Sequence, residues 1–142
     1  MPKLNWARLF IGVLIAVVIM FLSDGFLHER LLMGDWVAVY RNLGVPEPYH
    51  EGAGIVYFVI FEVGRAFMAM FLYATMRSFF GAGPKTAVLA GIVAWIAFSV
   101  AGPAEFIPLG FYSNALWWKV AAYQFVTTVI GTVAGAAVYR EP

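Results

Sequence analysis

Long apolar stretches alternate with short polar ones along the chain, and the apolar stretches predict the fold. Four of them, at about residues 9–31, 55–77, 86–102 and 116–139, are long enough to cross the ~30 Å hydrocarbon layer as helices. The first opens after Trp6 and Arg8 and closes through Asp24, His28, Glu29 and Arg30. Behind it, Trp36, Tyr40 and Leu43 recur at helical spacing after Gly34-Asp35, which predicts a short helix lying in the membrane interface. The prolines and glycines between Gly44 and Gly52 then break regular structure. Ser78 to Lys85 forms a turn of the length that joins antiparallel neighbouring helices. Pro103 and Pro108 bracket Glu105 in the last connection. The expectation is one domain over residues 1–142: an all-α, integral membrane four-helix bundle with antiparallel neighbours and a short interfacial helix between the first two spans.

Polar residues inside the spans change this picture from a scaffold to a candidate site. Glu62 and Arg65 stand in the middle of the second apolar run, where each charge costs roughly 2.5–3.5 kcal/mol at the centre of a helix. Three residues apart, they share a helical face and can pair. Ala66, Ala69 and Tyr73 continue that face and let another helix approach. Asp24 and His28 share a face near the end of the first span. Placed by helical rise, Asp24, His28, Glu62, Arg65, Glu105, Lys119 and Gln124 fall in one layer toward one end of the bundle, with apolar packing beyond it. Such a layer suits a vestibule or binding site better than a continuous pore.

Small residues predict where the helices meet. Ala87, Ala90, Gly91, Ala94, Ala97 and Ala101 form a stripe on the third span, and Gly131 and Gly135 form a GxxxG on the face of the fourth that also carries Gln124 and Thr128. Ala90, Gly91, Ala94, Gly131 and Gly135 are the expected helix-packing positions.

Composition narrows the classes. Of 142 residues, 63% are hydrophobic and 12% charged, more apolar surface than a soluble domain of this size can bury. A net charge of +1 gives no reason to expect nucleic acid. The absence of cysteine excludes disulfides, thiol nucleophiles, iron–sulfur clusters and thiolate zinc sites. Lys3, Arg8, Arg77, Lys85 and Arg140 lie on one side of the predicted bundle, and Arg30 and Arg41 on the other with Lys119 just inside that second edge, so both termini are expected to be cytoplasmic. The lipid bilayer of a bacterial inner membrane is the expected location. Asp24, His28 and Glu62 form a conceivable N/O metal set without diagnostic spacing, so no metal is assigned. Haem or chlorophyll through His28 or His50 is the remaining cofactor reading, and otherwise none is expected. Ser23, Ser99 and Ser113 lack any nucleophile motif, and the chain is not expected to be an enzyme.

The run Asp24-Gly-Phe-Leu-His28-Glu29, the following Trp36 and Tyr40, and three spans with small-residue faces resemble small four-span bacterial integral membrane proteins of unknown function. That group implies no activity. Small multidrug exporters also have four short spans and one embedded glutamate, but here the glutamate lies in the second span with Arg65 beside it. The leading expectation from sequence is a non-enzymatic accessory or assembly subunit packing against other membrane proteins of a larger complex. The alternative is a small oligomeric transporter or ion-binding protein using Asp24, His28, Glu62 and Arg65, and the third is a haem- or pigment-carrying subunit through His28.

Overall fold

A computed structural model describes residues 4–46 and 54–140. Among the described residues, five helices make up the fold: α1 (Trp6–Leu31), α2 (Met33–Asn42), α3 (Gly54–Phe80), α4 (Pro84–Ala104) and α5 (Asn114–Val138). All except α2 are long and apolar enough to cross a membrane, which makes this an integral membrane protein. Among the described residues there is no strand.

Local chemistry sets the helix ends. The side chains of Asn5 and Ser113 cap α1 and α5 by accepting from the backbone N–H groups of Arg8 and Leu116, each at 3.1 Å. Gly44, at φ +69°, closes α2 as Val45 N–H donates back to the Tyr40 carbonyl at 2.9 Å. The turn between α3 and α4 uses positive φ at Gly81 and Gly83, followed by Pro84 in the first turn of α4. The four spans begin and end within three residues of the expected limits, with α4 gaining Pro84 and Lys85 at its start.

The long helices pack as a ring in which α1 and α4 both lie against α3 and α5, and α3 also touches α5 across the middle. Packing is closest where glycines meet. A Cβ on Gly135 would stand 2.5 Å from the Gly12 carbonyl oxygen, and one on Gly12 would stand 2.8 Å from the Gly135 oxygen. Gly91 rests on Val129 and Thr132, and Gly131 on Met20. Ala90 and Ala94 are fully buried. Around these contacts Leu9, Met20, Met70 and Tyr73 form the main core. A smaller cluster of Leu27, Leu32 and Leu116 holds α2 at the opposite end.

Two helices each contain a wider turn. Backbone bonds from residue i+5 to residue i run through Leu27–Leu31 in α1 and Ile96–Ala101 in α4. The second corrects the expected stripe: Ala97 and Ala101 are exposed, and Ser99 points inward with 1% exposure. One additional residue in the turn rotates everything after Ala94, which a regular 3.6-residue period does not anticipate.

Candidate functional site: a buried acidic cluster between two cavities

Arg65 is fully buried in the middle of α3, so its charge must be met inside the protein. Its Nη2 donates to Glu62 Oε2 at 2.6 Å, one turn earlier on the same helix, and to Asp24 Oδ2 of α1 at 2.9 Å. The guanidinium also lies over the Phe61 ring at 5.3 Å. Gln124 and Thr127 of α5 complete the cluster: Gln124 Nε2 donates to Asp24 Oδ2 at 2.5 Å and Thr127 Oγ1 to Asp24 Oδ1 at 3.1 Å. Asp24, Glu62 and Gln124 are each no more than 4% exposed.

The two carboxyl groups differ in how they are held. Asp24 accepts from donors on α3 and α5 and ties three helices together. Glu62 is joined to its own helix through Arg65 and borders two cavities. Two carboxyl groups on a single guanidinium nitrogen leave one negative charge in excess when both are ionised. Two like charges held beside one another in a buried site repel, and more strongly than in water.

Each cavity holds about 290 Å³. One lies between α1, α2 and α3, against Asp24, Glu29 and Tyr40. The other lies between α3, α4 and α5, against Ser99, Tyr112, Trp117 and Gln124. Both share His28, Trp36, Phe58 and Glu62, so these residues form the wall between them. His28 Nδ1 accepts the Trp36 indole N–H at 2.8 Å, which places the proton of the neutral ring on Nε2. Burial raises the Tyr40 hydroxyl pKa above its ordinary value, with Glu29 adding to the shift, and burial raises that of Tyr112.

Of the residues expected in one layer, Asp24, Glu62, Arg65 and Gln124 meet directly, while His28 stands beside them in the cavity wall. Glu105 is exposed in the turn after α4. Lys119 is half exposed and pairs with Asp35 of α2 at 2.8 Å, away from the cluster. Helical rise put both at the right depth, but depth alone does not say which way a side chain turns. His50 lies outside the described residues. Among the described residues no three His, Asp or Glu side chains converge as a metal site, so Asp24, His28 and Glu62 do not form the N/O set considered from sequence. Thr127 and Ser99 were missed as site residues. Thr127 is one turn beyond Gln124 and could have been found from that spacing; Ser99 depends on the wide turn.

No protein-family model matches the chain, and neither a curated protein nor a solved structure matches it.

Proposed function

We propose that this is a small cation-binding membrane protein of the transporter class, taking up a monovalent cation at the Glu62 carboxyl group in exchange for a proton. The observation that supports this reading is the pairing of two buried carboxyl groups with one guanidinium nitrogen where two cavities meet. A net charge buried in low dielectric is costly unless a cation accompanies it. Asp24, with its three donors, is the fixed member, and Glu62, bordering both cavities, is the exchangeable one. His28 and Trp36 form the shared wall.

The accessory-subunit reading drew on the small-residue faces. Those faces are occupied within the chain by the Gly12–Gly135, Gly91–Thr132 and Gly131–Met20 contacts, which leaves less to motivate a docking role. The distribution of arginine and lysine favours cytoplasmic termini, which would put α2 at the outer interface and the acidic cluster in the outer half; antiparallel neighbouring spans and a bacterial inner membrane are part of the same proposal. Single-cysteine variants at Arg41 and Lys85 test that orientation: an impermeant reagent labels Arg41→Cys from outside intact cells and spares Lys85→Cys, and the reverse pattern overturns it.

The function is tested in proteoliposomes carrying an internal pH dye and challenged with gradients of alkali or small ammonium ions. Wild-type protein is expected to produce a cation-dependent proton flux that Glu62→Gln abolishes without loss of the folded state. Equal flux from Glu62→Gln contradicts the role of Glu62, and no flux with any of these cations contradicts the transporter reading.

A further inference from the structure

The cavity between α3, α4 and α5 differs from its neighbour in one respect: it holds buried donors with nothing to bond. Ser99, 1% exposed, has no hydrogen-bond partner for Oγ among the described residues, and neither has the buried Trp117 Nε1. Most other polar groups of this wall are engaged, and Tyr57 is 73% exposed. Tyr112 Oη donates to the Pro103 carbonyl at 2.7 Å, Trp36 Nε1 to His28, and Gln124 Nε2 to Asp24. Leaving a buried donor unmatched costs stability, so two beside one cavity require a reason.

Ser99 also owes its position to the wide turn of α4. Regular helical spacing would turn Ala97 and Ala101 inward and leave α4 with no polar side chain in this wall; the rotation over Ile96–Ala101 brings Ser99 there instead. Turns of this kind interrupt a helix at an energetic cost and recur at functional sites. The remaining walls are rings, chiefly Tyr57, Phe58, Phe61, Trp36 and Tyr112. An indole N–H can only donate, so a ligand meeting it must bring an acceptor. The aromatic walls favour a flat apolar body, and a volume of about 290 Å³ lies at the small end for such sites.

We infer that this cavity is a binding site for a small planar aromatic carbonyl compound, of the aromatic ketone or quinone class, whose oxygen accepts from Ser99 Oγ and Trp117 Nε1. The inference stands apart from cation exchange at Glu62, since neither donor belongs to the acidic cluster.

The test compares 2-acetonaphthone with 2-isopropenylnaphthalene, which has the same shape with a methylene in place of the oxygen. Equilibrium binding of each to the full chain in lipid nanodiscs is measured with empty nanodiscs subtracted. The ketone is expected to bind about tenfold more tightly than the hydrocarbon. Ser99→Ala and Trp117→Phe should each weaken the ketone severalfold and leave the hydrocarbon unchanged. Trp117→Phe keeps an aromatic ring in the wall, so the prediction remains testable if Ser99→Ala does not fold. Equal affinity for the two compounds, no saturable binding, or variants that weaken both equally would overturn the assignment.

Discussion

The two ends of the bundle are built from the same helices and packed in opposite ways. In one half, α1, α4 and α5 approach until glycines meet backbone, and Leu9, Met20, Met70 and Tyr73 fill what remains. In the other, α3 stands away from its neighbours: residues 54–60 are all exposed, and two cavities separate this part of the chain from α1 and α5. The cause is side-chain size. Ala66, Ala69 and Ala74 let the second half of α3 close on the bundle, whereas Ile55 to Phe61 is bulky throughout. The acidic cluster sits at the boundary, anchored by tight packing on one side and reachable from cavities on the other. Rigidity and access are thus divided along the length of the helices.

The largest expected effect comes from enlarging a residue in the tight half. Gly135→Val places a side chain against the Gly12 backbone and should prevent recovery of folded, monodisperse protein from detergent. Gly64→Ala is the control at a roomier position of α3, where the nearest atom is Phe98 Cε1 at 3.6 Å, and it should be no less stable than wild type, since alanine favours a helix interior over glycine by up to about 1 kcal/mol. Size-exclusion profiles and unfolding midpoints of the pair measure the contrast; similar behaviour of the two would erase it.

Next in size is the boundary. Arg65→Met leaves two carboxyl groups buried without their cation and should cost about 3–5 kcal/mol, read from denaturant unfolding. Adding Asp24→Asn and Glu62→Gln to that variant removes the unpaired charge and should recover most of the loss. A triple variant no more stable than Arg65→Met would show that the guanidinium acts through packing and not through charge.

The smallest effect belongs to the surface. Lys119 and Asp35 are 52% and 40% exposed, so Lys119→Ala should change the unfolding free energy by less than about 1 kcal/mol. The Leu27, Leu32 and Leu116 cluster continues to hold α2 in that variant. A loss of several kcal/mol would mean that the ion pair, and not the cluster, docks this helix.

How much of this was legible in the sequence follows from which signals are periodic. The spans, the α2 helix and the Glu62–Arg65 pair rest on hydropathy and a three-residue spacing, both of which survive the step from chain to helix. That Asp24 and Gln124 join the pair followed less directly, from equal depth in different spans. The same reasoning grouped Glu105 and Lys119 with them, because rise along an axis fixes height and leaves rotation open. Gly12 went unnoticed as the partner of Gly135, since a lone glycine in an apolar run carries no pattern. The exposure of Ala97 and Ala101, and the inward turn of Ser99, depend on one additional residue in a turn of α4, and neither composition nor period marks where a helix will widen.

The claim on which the account turns is that Glu62 exchanges a proton for a cation while Asp24 holds the helices together. It is tested most directly by titrating purified protein in a weak buffer with a pH dye and counting the protons released at saturating monovalent cation. Wild type should release about one proton per chain and Glu62→Gln none. The same release from Glu62→Gln as from wild type, or none from wild type with any alkali or small ammonium ion, would contradict it.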